Sequence, residues 1–583
     1  MAPKKPVAKK ADPKKSASVK ANTKVKVTKP EPEKAKKPKA DGARASSRQA
    51  TNDSAAPKKA TKATATTTSK AKPAPQKSLK RKSSDDDEKP APAKKAKVVK
   101  MPKAAPKPKP APKPKKIPVS RKPAVAPVKP ETLTKGPVIN EPPTQRMNIY
   151  VHGEGTAGEL GLGTAARAVD VKRPRLNPNL TADTAGVVQI SAGGMHVLAL
   201  THDNKILSWG VNDSGALGRD TTWEGGLKDA DEATKENEDE GDDESVDSDD
   251  DNGLNPRECI PAEVDWSETP LPEGTRFVQV AAGDSCSFAL TDDGRVYGWG
   301  SFRGTEGPFA FDPETPTAFR PKLVPALKKI TSIKAGANHA IALDKSGTVF
   351  AWGSGEQHQL GRKVVERKKK DGLLPRTFGL PKGPKNGIKS IETGEYHSMA
   401  ISKNGDVYAW GLNNFGQTGI PDNAGTDDAV VTKPKVIEHL RGKTITSLTG
   451  GGHHSIAATS EGECLIWGHA DCQIGIPAEV IEKLPEDAIV RDEKGRAGIV
   501  MIPQKVPGIE GTVIKVSAAG ETNGVITAEG KAWTWGFSTN YQTGTGADDD
   551  VKVATMIDNT AVRDVKITGI GIGGQYGILT SFA

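Results

Sequence analysis

Three patterns in this chain have residue types and spacings that could do chemistry. GEGTAG, Gly153 to Gly158, matches the glycine spacing of a dinucleotide-binding turn, which works only where a helix opens on the loop and offers its amides to a pyrophosphate. Gly161 and Gly163 follow at once and would break such a helix, so the segment reads as a glycine-rich loop. Gly442-Lys443-Thr444 ends like a phosphate-binding loop, but Ile437 stands where the opening glycine is required. Four histidines, His196, His339, His397 and His454, hold one place in four copies of a repeated cassette, with Cys286 and Tyr576 in that place elsewhere. A metal needs ligands converging on one point. Histidines set one per repeat do not converge, and their exchange for Cys or Tyr points to packing and hydrogen bonding. The four cysteines, Cys259, Cys286, Cys464 and Cys472, show no CxxC spacing, which suits a reducing intracellular compartment. No carboxylate pair or nucleophile-and-base set stands out. Covalent chemistry, a metal site and a cofactor are therefore not expected.

What positions these residues is the cassette itself. AGDSCSFALTDDGRVYGWG (Ala282 to Gly300) and AGANHAIALDKSGTVFAWG (Ala335 to Gly353) are its clearest copies; others start at Ala192, Thr393, Gly450 and Ala519. Two strand-like runs flank Asp293-Gly294, Ser346-Gly347 or Asn404-Gly405, turns in which glycine accepts the positive φ of a tight hairpin. Asn204 takes the glycine's place in the copy from Ala192, as the next most tolerant residue. One Trp closes each hairpin, at Trp209, Trp299, Trp352, Trp410, Trp467 and Trp535, which is the recurrence expected of a packing residue between sheets. A Trp-Gly and a glycine-rich loop follow, as in GSGEQHQLG (Gly353 to Gly361).

The end units are halves. GGQYGILT (Gly573 to Thr580) opens a cassette without closing it, and NIYVHGEGTAGELGLG (Asn148 to Gly163) has the closing half alone. Together they complete a seventh unit. The expected fold is all-β, a seven-bladed β-propeller closed by pairing N- and C-terminal strands, since closure removes the exposed sheet edge.

Charge divides the chain. Residues 1–140 carry 40 Lys and Arg against 10 Asp and Glu, while 141–583 carry 44 against 62. Rich in Lys, Ala and Pro and poor in aromatics, the leading part cannot bury enough surface to offset ordering entropy; we read it as a disordered basic tail before a propeller at 141–583. It has neither the apolar segment of a secretory signal nor a membrane span. Lys80, Arg81 and Lys82, followed by Lys94, Lys95 and Lys97, are spaced like a bipartite nuclear import signal for an import receptor. Lys4, Lys5, Lys107, Lys109, Lys113, Lys115 and Lys116 are candidate DNA contacts, exchanging counterions at phosphates without sequence preference; a generic polycation is the plainer reading. Asp229 to Asp251 holds fourteen acidic residues and one Lys, a solvated loop or, alternatively, a contact for a basic partner or for the tail. A basic insertion, Arg362 to Arg376, offers Lys368, Lys369 and Lys370 as a second DNA contact, or as an ordinary solvated loop.

With its cassettes and segments such as SAGGMHVLAL, GSGEQHQLGR and FSTNYQTGTG, the region from Asn148 to Ala583 resembles the regulator of chromosome condensation family. The resemblance implies a seven-bladed propeller, and guanine-nucleotide exchange on the nuclear GTPase Ran in association with chromatin and nucleosomes. The nucleotide-free GTPase would be the form bound tightest. Ser301, Phe302, Arg303, Gly304, Thr305, Glu306 and Gly307 resemble the family's wedge, which presses on the GTPase near its phosphate loop; Gly304-Thr305-Glu306 departs from the vertebrate form. Asp284, Arg362 and His453 match family positions on the same face. Asn338 stands where vertebrate members have a functional Asp, and Tyr576 where they have a His. Ala2, exposed once Met1 is removed, with Pro3 and Lys4 resembles the family's N-terminal α-methylation pattern. A different class of function stays open: a propeller scaffold for chromatin or ubiquitin-ligase assembly without exchange activity, since fold does not fix function. A Trp-based light sensor is disfavoured by the once-per-blade tryptophans.

Overall fold

A computed structural model describes residues 133–225 and 253–583. Ala2, Lys4, Lys5, Lys107, Lys109, Lys113, Lys115, Lys116, both import-signal clusters and the acidic stretch Asp229 to Asp251 lie outside the described residues. The described chain forms a seven-bladed β-propeller, each blade an antiparallel sheet of four or five strands. Its closing blade takes Ile567–Ile572 and Tyr576–Phe582 from one end of the chain and Met147–Glu154 and Asp170–Leu176 from the other. The seam runs in unbroken antiparallel register from Met147 opposite Phe582 to Gly153 opposite Tyr576. The split unit read from the sequence is thus one sheet.

In the blade of the clearest cassette, the order outward is Phe277–Ala282, Cys286–Thr291, Val296–Gly300 and Ala318–Leu323. The cassette supplies the middle two. Innermost strands such as Phe277–Ala282 and Ile388–Thr393 line a central channel of about 350 Å³ to which all seven blades contribute. The small and polar side chains they turn toward that channel weaken the apolar alternation by which a strand is recognised.

The once-per-blade residues clasp neighbouring blades. His397 Nε2 lies 2.7 Å from Ser455 Oγ in the next blade. Ser455 in turn donates to the Gln417 carbonyl at 2.8 Å, and Trp467 Nε1 donates to that same carbonyl at 3.1 Å. Because the serine hydrogen is committed to the carbonyl, Nε2 must carry the ring proton. The motif recurs with His196 and Ser287, His339 and Ser398, and His454 and Asn523; Tyr576 instead donates to the carbonyls of Gly193 and His196. Burial lowers the pKa of His196 and His454 to about 4 and of His339 and His397 to about 3, so all are neutral. These histidines are seam residues. Two seams differ. In one, Cys286 and Ala340 occupy the His and Ser places, and Phe288, Phe302, Phe311 and Trp352 pack there instead, with Phe288 edge-on to Trp352 at 5.5 Å. In the other, Thr522 and Gly577 occupy those places, and the Thr522 hydroxyl donates within its own blade to the Phe537 carbonyl at 2.8 Å.

The folded part begins before Asn140, where the charge count set the boundary. Lys135 pairs with Asp292 at 2.6 Å, Gly136 donates to Asp293 at 2.9 Å, and Asn140 donates its side-chain amide to the carbonyls of Thr291 and Ile330. Apart from the Ile330 carbonyl, which opens the next blade's innermost strand, these contacts fall on the hairpin turn at Thr291–Gly294, the end of the blade opposite the turn at Gly283–Ser285.

A candidate partner-binding face around the channel mouth

Each innermost strand turns into the next within a few residues, and these turns encircle one mouth of the channel. The turn closes through a glycine amide, Gly283 to the Cys286 carbonyl at 2.8 Å and Gly394 to the His397 carbonyl at 3.0 Å. Glycine is required because a Cβ at Gly394 would lie 2.2 Å from His397 Cε1. The two residues between this glycine and the start of the next strand are free to vary, and there the blades differ: Gly194-Met195, Asp284-Ser285, Ala337-Asn338, Glu395-Tyr396 and Gly452-His453. The last full cassette is a residue shorter at this turn and offers Glu521.

This mouth is acidic. Burial raises the Asp284 carboxyl to about 7; neighbouring Glu395 adds to the rise and Arg303 opposes it. Burial also raises Glu395, offset by the Gly520 N–H it accepts at 2.6 Å and by His453. Glu521 is held below the usual carboxylate range chiefly by His453, whose Nδ1 lies 3.5 Å away. His453 also meets the Phe415 ring at 4.6 Å, and Phe415 the His469 ring at 4.4 Å.

Beside the mouth, where other blades carry a glycine-rich loop, stands a hairpin of Phe302–Gly304 and Gly307–Ala310. Ser301 and Phe302 are buried at its root, whereas Arg303, Thr305 and Glu306 are exposed. The Arg303 N–H donates to Asn338 Oδ1 at 2.9 Å and the Thr305 N–H to Glu356 Oε2 at 2.8 Å. Glu306 pairs with Lys369 at 3.1 Å. An apolar root, a tied stem and a polar tip make a projection that can push on a docked protein, and the mouth presents carboxylates able to grip a basic one.

The model of the RCC1-like domain family matches residues 148–579. The chain belongs to that family. Within the family, it is similar to the guanine nucleotide exchange factor SRM1 of Saccharomyces cerevisiae, 40% identical over 441 residues, which span 74% of this chain and 87% of that one. It is also similar to the crystal structure of Prp20p from Saccharomyces cerevisiae, reported with its binding properties to Gsp1p and histones. There the TM-score is 0.66, with 36% identity over 76% of this chain and 95% of that one. The structure of Kap60 bound to yeast RCC1 (Prp20) matches with a TM-score of 0.65 and 35% identity over 80% of this chain and 96% of that one.

Of the family positions read from the sequence, Asp284, Asn338, His453 and the segment Ser301 to Gly307 come together on this face. Arg362 has partners within the chain. Its Nη2 donates to the carbonyls of Asp371, Gly372 and Leu374 at 3.4, 3.3 and 3.2 Å, so its guanidinium holds the basic insertion in place. Lys368, Lys369 and Lys370 lie on the short 3-10 helix Glu366–Leu373. Lys369 sits against the hairpin through Glu306 and above the Phe309 ring at 5.9 Å, and Lys370 reaches the Pro313 carbonyl at 3.3 Å. Sequence reasoning missed Glu395 and Glu521, which occupy the same variable turn positions as Asp284 and Asn338; aligning the cassettes column by column exposes both. Glu356 gives no such signal.

Proposed function

We propose that this protein is a guanine-nucleotide exchange factor for a Ran-type small GTPase, working through the acidic mouth and the adjoining hairpin. The observation that carries the reading is the Ser301–Gly307 hairpin, which takes the place of the repeat's own loop and is tied to Asn338 beside Asp284. A face that binds the nucleotide-free GTPase more tightly than the loaded form weakens nucleotide binding by the same factor, by reciprocity. No bond is made or broken in the protein. The hairpin occupies space the loaded GTPase needs for its phosphate loop, and the carboxylates of Asp284, Glu395 and Glu521 hold the emptied GTPase by its basic surface. Each tenfold gain in nucleotide release requires about 1.4 kcal/mol of such differential binding.

The exchange-factor name of the SRM1 relative and the reported binding of Prp20p to Gsp1p and histones support this reading. The same neighbours and the basic residues of 1–140, which would bind DNA and nucleosomes, support a nuclear, chromatin-associated placement; the Kap60 complex supports an import receptor as a further partner. α-Methylation of Ala2 would preserve a positive charge at the amino end of that tail, with mass spectrometry of the purified protein as its check.

Release of fluorescent GDP from a panel of small GTPases tests the function. Catalytic acceleration confined to Ran-type members is the expected outcome. Equal affinity for loaded and nucleotide-free GTPase, with no acceleration, would instead favour a scaffold.

A further inference from the structure

The hairpin beside the channel mouth is a thin, exposed element, and its tip needs a support that its own two strands do not supply. Its strands pair over three positions, with a register shift between Phe302 and Arg303. Beyond the Asn338 tie at Arg303 and the pairing of Gly304 with Gly307, the tip residues Gly304 to Gly307 have two side-chain partners among the described residues, both from the neighbouring blade. Lys369 reaches Glu306 as an exposed ion pair, Glu306 being 84% exposed, and such pairs contribute little in high dielectric. Glu356 reaches the backbone. Its Oε2 accepts the Thr305 N–H at 2.8 Å, a charge-assisted bond of the stronger kind. Its Oε1 lies 2.8 Å from the point a Cβ on Gly304 would occupy, so the tip and the carboxylate are packed as well as bonded.

Glu356 belongs to the glycine-rich loop Gly353–Gly361, not to the wedge segment. That loop is fixed to the propeller body: Gln359 is buried, its side chain accepts the Gln357 N–H at 2.8 Å, and its carbonyl takes the Trp410 indole N–H at 2.8 Å. Held from a rigid loop, the carboxylate can transmit support to the tip.

Resting on the exchange function proposed above, we propose that Glu356 is a positioning residue for exchange: it holds the tip turn at Thr305 in the posture that displaces nucleotide, without itself contacting the nucleotide. A bond to a backbone amide needs an acceptor and no charge, so glutamine can replace the carboxylate where alanine cannot.

The test uses the full chain with Glu356→Ala and Glu356→Gln, a Ran-type GTPase loaded with fluorescent GDP, and amide hydrogen exchange resolved at residues 302–308. Glu356→Ala should lower kcat for GDP release by about tenfold, as expected for loss of one charge-assisted bond, with KM changed less than threefold and the thermal midpoint of the propeller unmoved. Protection at Thr305 should fall. Glu356→Gln should keep both kcat and protection within about threefold of the wild type. Unchanged kcat and protection in Glu356→Ala, or a glutamine variant as impaired as the alanine one, would overturn the proposal. If the wild-type protein accelerates no GTPase at all, the exchange reading fails, and positioning for exchange falls with it. Thr305 protection then separates a brace that exists but serves something else from one that is absent.

Discussion

Asn338 Oδ1 accepts the backbone N–H of Arg303 at 2.9 Å, joining the turn of one blade to the hairpin that projects from its neighbour. The bond fixes where the exposed hairpin leaves the body, so Asn338→Ala should loosen it. A hydrogen bond of this kind contributes about 1 kcal/mol. Roughly a five- to tenfold fall in the rate of GDP release is expected, with the propeller's unfolding midpoint within error of the wild type. Asn338→Asp keeps an acceptor and should retain activity, so stopped-flow release with the two variants separates the bond from the residue's charge.

Asp284 should make GTPase binding pH-dependent. Burial is the main cause that raises its carboxyl to about 7, with Glu395 adding to it. The group is therefore largely neutral at pH 6 and largely ionised at pH 8. If the anion grips a basic surface, affinity for nucleotide-free GTPase should climb across that interval. Asp284→Asn, which keeps the shape without the charge, should flatten the curve and leave binding near the low-pH level. Calorimetric titration at three pH values decides it, and an equally steep curve in the variant would move the grip to another residue.

Much of this was legible because the repeat exposes it. Asp293-Gly294 and Trp299 announce a hairpin and its packing partner, and the half-cassettes at Asn148 and Gly573 announce ring closure, realised in the Met147–Phe582 register. The innermost strands were not legible, since they turn small and polar residues to a central channel. Nor was the anchoring of Lys135 and Asn140, where the contacts are to backbone carbonyls and to turn carboxylates distant in sequence. In the partner-binding face, Asp284 and the hairpin came through family resemblance. The supporting roles of Asn338 and Glu356 needed coordinates, because their partners are backbone amides 35 and 51 residues away. Arg362 shows the reverse: a family position whose guanidinium is engaged by loop carbonyls.

The basic tail should govern chromatin binding and leave exchange alone. Removing residues 1–132 retains the anchored segment from Leu133 and deletes 39 of the chain's 84 Lys and Arg. Each lysine neutralising a phosphate contributes close to one unit to the salt slope of binding, so the slope for nucleosomal DNA should drop by several units. GDP release from free GTPase should stay within about twofold. Equal salt slopes for the full and shortened chains would place the DNA contact in the propeller, with Lys368, Lys369 and Lys370 the next to replace.

Glu159 offers a stability test of the closing blade. It is 1% exposed, accepts the Ala157 N–H at 3.0 Å, and its carbonyl receives the Trp209 indole at 2.8 Å. Gln359, Gln417 and Gln542 hold this place in other blades, each accepting the N–H two residues before it. A glutamine satisfies the site without charge. Burial raises the Glu159 carboxyl from 4.5 to about 7. The folded chain therefore binds the proton more tightly than the unfolded chain, and stability falls as pH rises from about 4.5 to 7. The native carboxylate carries a penalty of about 3 kcal/mol well above pH 7. Glu159→Gln should thus match the wild type near pH 4.5 and gain progressively up to pH 8 in denaturant titrations. The buried histidines impose an opposite trend below pH 6.5, because their lowered pKa values make protonation favour the unfolded chain. Both proteins share that trend, so it cancels in the difference. A gain independent of pH would mean that the glutamine improves packing and that Glu159 is not protonated in the fold.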